Sequence, residues 1–280
     1  MSYSLTSESP LTAATMPSRA PAYARLSLLR WPLSLLDRSA FHRAADCPLG
    51  PKAAKTRYPF RSLRYWWAAA ALADYQAHID RPLAILDAGC QGGYLRRIAG
   101  GDKSSRWTGF DKHLGHPHLL ASGYDSLVSG DLEQPLPFAD ASFDAIVSLH
   151  VFEHLRSPET AARELARVLR PGGLLLLGFP TMPGWLARLR EAQHRRGIAR
   201  GERPDWGHQQ VFDPERCRQL ARDTGLDVAF LSGSHFFRLT GFFLENSAAW
   251  VRLNQLWGTL VPSLGSELCV ILAKPSSPRP

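Results

Sequence analysis

Three glycines beside an aspartate are the residues of this sequence best suited to holding a small ligand. The stretch ILDAGCQGGYLRRIA, residues 85–99, begins like a buried strand and ends like a helix, and it places Asp87 ahead of Gly89, Gly92 and Gly93. Glycines between a strand and a helix allow positive φ angles, and they let a ligand approach the backbone because no Cβ stands in the way. The same glycines could also form a tight turn that holds nothing.

Two further aspartates follow the next predicted strands. Asp111 closes the strand RWTGFD, and Asp131 ends the segment YDSLVSGD. Ligands of a doubly wound sheet bind outside the carboxyl ends of its strands, where a carboxylate such as Asp111 can accept hydrogen bonds from both hydroxyls of a ribose. Asp131 is placed to accept a hydrogen bond from an adenine amino group. Three strand-end aspartates together with the glycine loop predict a nucleoside site.

The spacing of the glycines argues against a dinucleotide ligand. The fingerprint G-x-G-x-x-G, counted from Gly89, requires glycine at positions that are occupied by Gln91 and Tyr94. Asp87, two residues before the first glycine, is a poor neighbour for a pyrophosphate and a good one for a cationic ligand. We therefore expect a nucleoside with a positive charge, and not NAD.

These residues must be positioned by alternating strands and helices, which begin at Leu83. The segments LAILDA, RWTGFD, SFDAIVSLH and GLLLLGF are predicted strands, and Ser157-Pro158 begins a helix that Pro171-Gly172-Gly173 stops. After an interruption over residues 181–212, Asp213-Pro214 begins another helix, and LDVAFLSG and SELCVILAKP are further strands. This alternation predicts an α/β fold with helices on both faces of a parallel sheet.

Residues from about 83 to 180 resemble the class I S-adenosylmethionine-dependent methyltransferases, in the type 11-like subgroup that includes small-molecule enzymes. The resemblance rests on DAGCQGG, GFD, GDLEQPLPFADASFDAIVSLHVFEHL and RVLRPGGLLLL, in that order. One departure is Gln91, which stands where the family usually has a glycine. We expect a Rossmann-like doubly wound sheet, mostly parallel with an antiparallel last strand. Residues 1–60 are expected to form a disordered lead and a helical N-terminal extension. The methyltransferase domain is expected over residues 61–280, with a helical cap insert at about 181–212.

The resemblance implies S-adenosylmethionine as cofactor and assigns residues to its parts. Asp87 and the backbone from Gly89 to Gly93 would hold the methionine moiety, Asp111 the ribose, and Asp131 with the backbone of Leu132 the adenine. Ser148 and Leu149, at the end of the fourth strand, would line the sulfonium side. The full predicted cofactor set is Asp87, Gly89, Cys90, Gln91, Gly93, Asp111, Lys112, Asp131, Leu132 and Ser148.

Methyl transfer from a sulfonium is an in-line displacement in which alignment supplies much of the catalysis. A nucleophile that must lose a proton also needs a base. The candidates are His150, Glu153 and His154 in HVFEHL and His208 in WGHQQVF, although each histidine could instead make structural hydrogen bonds. Glu153-His154 resembles the E-x-x-E-H segment with which ubiquinone-pathway O-methyltransferases hold a divalent ion. Because His150 replaces the first glutamate, we predict no metal.

The acceptor must be recognised by segments outside the core, and two alternatives stand for each segment. The arginines of the insert form either a solvated helical face or a site for an anionic headgroup: Arg188, Arg190, Arg195, Arg196, Arg200 and Arg203. The aromatic residues of the C-terminal part either pack on the core or wall an apolar acceptor pocket: Phe236, Phe237, Phe242, Phe243, Trp250 and Trp257.

The composition of the chain indicates the cellular compartment in which the protein is expected. Four cysteines without a CxxC pair favour a reducing compartment. We expect a cytoplasmic protein because no signal region and no apolar run of membrane-spanning length is apparent. The apolar and arginine-containing segment 23–43 is expected to fold over the core or to contact a membrane surface.

These observations predict a methyltransferase acting on a small-molecule or lipid-linked acceptor, at oxygen or carbon. The alternatives are an RNA methyltransferase, suggested by the net charge of +8, and a non-catalytic S-adenosylmethionine-binding protein. We expect no nucleic-acid partner, because the basic residues lack the aromatic interleaving of a nucleic-acid groove. The sequence does not indicate the oligomeric state.

Overall fold

The computed structural model describes residues 52–79, 81–100, 104–182, 210–236 and 241–277, with isolated positions between 185 and 200. Its strands form one seven-stranded sheet in the order β3-β2-β1-β4-β5-β7-β6. They are β1 (Ala84–Ala88), β2 (Arg106–Asp111), β3 (Ser126–Ser129), β4 (Phe143–Leu149), β5 (Leu169–Pro180), β6 (Asp227–Ser234) and β7 (Glu267–Ala273). β1 to β5 pair in parallel, whereas β7 runs antiparallel to both β5 and β6. The predicted mostly parallel sheet with an antiparallel last strand is confirmed.

Five helices accompany the sheet within the continuously described ranges: α1 (Phe60–His78), α2 (Tyr94–Ile98), α3 (Pro158–Val168), α4 (Pro214–Thr224) and α5 (Ala248–Leu260). One buried cluster, which includes Leu165, Phe179 and Phe212, lies between the sheet and the α3–α4 side. A second, which includes Trp67 and Trp107, lies on the α1 side. Both faces of the sheet are thus covered, and every residue of β4 and β7 is buried, as expected for central strands.

Two helices begin where the sequence predicts, but the hydrogen bonds to their first backbone N–H groups differ. Asp213 precedes α4 and its side chain accepts a hydrogen bond from the backbone N–H of Arg216 at 2.8 Å. Ser157 precedes α3 but makes no such bond. Instead, Glu133 Oε1 accepts from the backbone N–H of Ser157 and of Arg156, each at 2.9 Å. A glutamate from the loop after β3 therefore secures this helix entrance.

The sequence predicts that Pro171-Gly172-Gly173 stops α3, but the helix ends two residues before it would reach Pro171. The helix ends at Val168, and β5 begins at Leu169 and runs through both glycines. Lys274, just after β7, accepts a hydrogen bond from the Gly172 N–H and donates its own N–H to the Gly173 carbonyl, both at 2.9 Å. This partner lies about a hundred residues away, so no local pattern reports it.

Several sequence-based expectations fall wholly or partly outside the described residues. The N-terminal lead and extension do so up to residue 51, as does most of the expected cap insert, and these domain boundaries stay predictions. No helix within the described ranges has both the length and the apolar character needed to cross a bilayer. The cytoplasmic location likewise stays a prediction.

Candidate active site

A cleft of about 1140 Å³ opens at the carboxyl ends of β1, β2 and β4. β1 lies between β2 and β4 in the sheet, so the chain departs to opposite sides there, which is where open α/β sheets place ligands. Five residues of the predicted cofactor set line the cleft: Asp87, Gly89, Cys90, Gln91 and Asp111. Two of the predicted catalytic residues, His150 and His154, line it as well.

The loop after β1 requires glycine at two positions. Gly89 and Gly93 have φ angles of 88° and 69°, in the left-handed region. A Cβ on Gly89 would overlap the side chain of Val151, and one on Gly93 would overlap Ser122. Gln91 also has a positive φ, 44°, so it adopts the conformation that the family's glycine would adopt more easily. The loop keeps its shape despite the departure in sequence.

Asp111 holds this loop and still has capacity for a ligand. Its Oδ2 accepts a hydrogen bond from the backbone N–H of Gln91 at 2.9 Å, and its Oδ1 accepts from the N–H of His113 at 2.9 Å. An ionised carboxylate offers about four lone-pair directions. Roughly two lone-pair directions therefore remain for a ligand.

Asp87 is a buried carboxyl whose charge is poorly compensated. The hydroxyl of Tyr124 donates a hydrogen bond to its Oδ2, and the side chain is almost fully excluded from solvent. Burial raises the pKa of Asp87 to about 7, an effect that the Tyr124 hydrogen bond opposes and the nearby charge of Asp111 reinforces. A cation that entered the cleft beside Asp87 would stabilise its ionised form.

The remaining residues of the predicted cofactor set do not line this cleft. Asp131 accepts from Lys112 Nζ at 2.8 Å and from the backbone N–H of Glu133 at 3.0 Å, and the Lys112 hydrogen bond lowers the pKa of Asp131. Leu132 is buried beside it. Ser148 is fully buried within β4, whereas its neighbour Leu149 does line the cleft. The roles assigned to Asp131, Lys112, Leu132 and Ser148 stay predictions.

At the other end of the cleft, His150 lies between two buried carboxylates. Its Nε2 is 2.5 Å from Glu267 Oε1, and its Nδ1 is 3.3 Å from Glu153 Oε1. Glu267, the first residue of β7, also lies 3.4 Å from Nε of the buried Arg64 on α1. The two buried carboxylates therefore face one guanidinium and one imidazole, and buried carboxylates require such neighbouring groups.

This arrangement distinguishes the two histidines of HVFEHL. Both ring nitrogens of His150 face carboxylates, so His150 is suited to organising the site rather than to receiving a proton from an acceptor. His154 lines the cleft with 44% of its side chain exposed, and its Nε2 is 3.9 Å from Glu153 Oε1. His208, the fourth catalytic candidate, lies outside the described residues.

Arg64 and Glu267 are site residues that the sequence analysis missed. They come from α1 and β7, at opposite ends of the described chain, so their pairing cannot be inferred from spacing. One signal was present: Glu267 opens a strand whose other residues, LCVILA, are all apolar. Among the described residues, no group of three or more His, Cys, Asp or Glu side chains is arranged to hold a metal ion.

The segments expected to recognise the acceptor are only partly described. Arg196 and Arg200 of the insert are exposed, and the other four arginines lie outside the described residues. Of the C-terminal aromatics, Phe236, Phe243 and Trp257 are exposed and do not line the cleft. A core position is therefore wrong for these three residues, and the acceptor-pocket alternative stays a prediction.

Comparison with known proteins agrees with this geometry. A family model described as a methyltransferase domain matches residues 86–177. The chain is 28% identical over 175 residues to the ubiquinone biosynthesis O-methyltransferase of Idiomarina loihiensis, covering 58% of this chain and 68% of that protein. It is 41% identical over 101 residues to the malonyl-[acyl-carrier protein] O-methyltransferase of Erwinia pyrifoliae, covering 35% of this chain and 38% of that protein.

Solved structures share the fold. An S-adenosylmethionine-dependent methyltransferase from Mesorhizobium loti superposes with a TM-score of 0.50 at 18% identity, covering 75% of this chain and 98% of that one. At this identity the likeness concerns the fold alone. The matched domain, the order of the strands and the glycine loop with its strand-end aspartates lead to one conclusion. Residues 86–177 match the methyltransferase domain family, and the fold that contains them is shared with S-adenosylmethionine-dependent methyltransferases of known structure.

Proposed function

We propose that this methyltransferase moves the methyl group of S-adenosylmethionine to an oxygen or carbon atom of a small-molecule or lipid-linked acceptor. One observation carries the proposal. A single cleft joins a nucleoside-type half, made by Asp87, the glycine loop and Asp111, to a half that contains His150 and His154. The two relatives above are both named O-methyltransferases, which favours oxygen as the atom methylated.

The residues of the first half fit the cofactor. Asp87, buried and with a raised pKa, suits the positive charges of the methionine moiety. Gly89 lines the cleft with a φ angle of 88°, so a ligand can approach its backbone where no Cβ stands in the way. Asp111 would accept the ribose hydroxyls, and Asp131 with Leu132 the adenine. When bound, the cofactor supplies a methyl group that is already activated by its sulfonium.

The residues of the second half would manage the proton of the acceptor. His154 is exposed to the cleft and can receive a proton from an acceptor hydroxyl. Glu153, buried beneath it, would stabilise the imidazolium that forms. His150 lies between Glu153 and Glu267, and it would hold the Glu153 carboxylate in place. Alignment of the acceptor with the methyl group supplies the rest of the rate.

The test is methyl transfer from cofactor labelled in its methyl group to cell extracts separated into aqueous metabolites, lipids and RNA. We expect label in the metabolite or lipid fraction. His154→Gln should lower turnover by about a hundredfold or more while S-adenosylmethionine affinity stays unchanged. The matched control is His78→Gln, which alters an exposed histidine at the end of α1 outside the cleft and should have no effect.

The other outcomes identify the alternatives. Label that appears only in RNA would replace this proposal with an RNA methyltransferase. Cofactor binding without label in any fraction would indicate a non-catalytic binding protein.

A further inference from the structure

The C-terminal helix α5 has an inverted distribution of polarity. Asn254, Gln255 and Thr259 are buried, whereas Leu253, Trp257 and Leu260 are 53%, 39% and 64% exposed. A surface helix of a globular protein ordinarily turns its apolar side to the core and its polar side to water. α5 does the reverse, so its outer side is built for contact with something other than water.

The buried polar side of α5 has a structural explanation. Thr259 Oγ1 donates to the Gln255 carbonyl at 2.8 Å and lies 3.0 Å from Ser232 Oγ on β6. Gly258 packs directly on the backbone of Gly233, leaving no space for a Cβ. The polar residues thus attach the helix closely to β6. The apolar residues on the outer side are not explained by this packing.

The exposed apolar surface continues beyond the helix. The ring of Phe236 contacts Trp257 and Trp250 with centroid distances of 5.6 and 5.8 Å, and Phe242 contacts Trp250 at 6.2 Å and Phe243 at 4.7 Å. We call the outer face the set of exposed residues along this path and on the same side of α5: Phe236, Phe243, Leu253, Trp257 and Leu260. Contiguous exposed apolar surface of this kind marks an interaction site.

Positive charges flank one end of the outer face. Lys52 packs against Gly241, and the backbone N–H of Arg57 donates to Asn246 Oδ1 at 2.9 Å, so the stretch with the exposed residues Lys52, Lys55 and Arg57 runs next to residues 241–246. Residues 52–61 contain no acidic residue. Residues 241–266 contain one, Glu245, which is buried and accepts hydrogen bonds from Thr56 and from the Phe60 N–H. The exposed charges of these two stretches are therefore all positive.

We propose that the outer face docks on the surface of an anionic lipid bilayer. The leucines and phenylalanines enter the headgroup region, and Trp257 takes the interfacial position that tryptophan favours. Lys52, Lys55 and Arg57 pair with the phosphates of anionic lipids. A second copy of the chain fits less well, because a two-fold contact across the same face would bring Lys52, Lys55 and Arg57 of the two copies close together. Residues 1–51 fit less well too, because they carry five arginines against three acidic residues.

The outer face and the cleft both lie next to the beginning of α1. Arg61 and Arg64 line the cleft, and Phe60 packs edge-on against His235, the neighbour of Phe236, at 4.6 Å. A docked molecule would present its cleft close to the bilayer, which suits a lipid-linked acceptor. This consequence rests on the proposed function, whereas docking itself does not.

The experiment is sedimentation of the full chain with vesicles of phosphatidylcholine alone or mixed with phosphatidylglycerol. We expect binding to the mixed vesicles that weakens at high salt. Leu253→Glu/Leu260→Glu should lower the partition coefficient at least tenfold. The matched control is Leu120→Glu, at a position that is 85% exposed near the β3 edge, opposite to β6 in the sheet, and it should bind like the parent. Lys52→Glu/Lys55→Glu should weaken binding by more than twentyfold, because each lysine near an anionic surface contributes about fivefold.

Each other outcome overturns the proposal. Absence of vesicle binding by the full chain would do so, as would equal binding by the α5 double variant with its thermal unfolding unchanged. Vesicle binding that appears only after deletion of residues 1–51 would identify that segment as the occupant. A dimer in solution that the α5 variant dissociates, without vesicle binding, would identify a second copy. Vesicle binding can fail while S-adenosylmethionine binding persists, so this test is separate from that of the proposed function.

Discussion

Replacing Asp87 with asparagine removes the charge of this buried side chain and nearly preserves its shape. With a pKa of about 7, roughly 3% of Asp87 is ionised at pH 5.5 and about 75% at pH 7.5. If the ionised form binds the cationic methionine moiety, the affinity of the parent for S-adenosylmethionine should rise about twentyfold between these two pH values. Asp87→Asn should show no such rise.

The same substitution should stabilise the protein without ligand at alkaline pH. The folded-state pKa lies above the ordinary value of 3.8, so the stability that protonated Asp87 contributes is complete below about pH 4 and is lost as the pH rises through 7. Three pKa units at about 1.4 kcal/mol each set an upper bound of about 4 kcal/mol. Asp87→Asn cannot lose a proton, and its free energy of unfolding should exceed that of the parent at pH 8 and match it near pH 4.

Titration calorimetry at pH 5.5 and 7.5, with urea unfolding at pH 4 and 8, measures both effects. At pH 7.5 the variant should bind S-adenosylmethionine about ten- to a hundredfold more weakly, the value of one lost charge-assisted hydrogen bond. If the parent's affinity does not change with pH, or Asp87→Asn retains the same pH dependence, the reasoning is refuted, because another group then titrates.

Three further substitutions and one matched control test neighbouring parts of the site. Tyr124→Phe removes the hydrogen bond that lowers the pKa of Asp87, so the midpoint of the binding profile should move to higher pH in calorimetry; an unchanged midpoint would contradict the contact. Asp111→Ala should weaken S-adenosylmethionine binding about tenfold to a few hundredfold, and unweakened binding would remove the ribose assignment. Gly89→Ala should lower both affinity and thermal stability, because a Cβ there overlaps the side chain that follows β4. Its matched control, Gln91→Gly, relieves a left-handed conformation worth about 1 kcal/mol, and it should raise stability slightly and leave affinity within about threefold.

Local patterns were sufficient to predict most of the sheet and the conformation of the loop after β1. The apolar runs that contain Asp87 and Asp111 proved to be neighbouring strands, and two of the three glycines in the loop, Gly89 and Gly93, proved to have positive φ angles. These features depend on conformational preferences within a few residues, which a sequence displays directly. The β5 start differs because its partner Lys274 is remote.

The end of the cleft that contains His150 and His154 could be predicted only in part, because its contacts join distant segments. HVFEHL indicated His150 and His154 but could not show that Arg64 and Glu267 converge on His150. The sequence also did not show which side of α5 is exposed. Residues such as Trp257 would suit a core or a pocket as well as an exposed face, and only packing against β6 decides which side of the helix faces out.

The most direct test of the central claim is titration calorimetry of the purified chain with S-adenosylmethionine, its demethylated product and NAD. The account predicts that the first two bind at one site per chain and that NAD does not bind, because Asp87 precedes the glycine loop and the dinucleotide spacing fails at Gln91. Binding of NAD without binding of S-adenosylmethionine would contradict it.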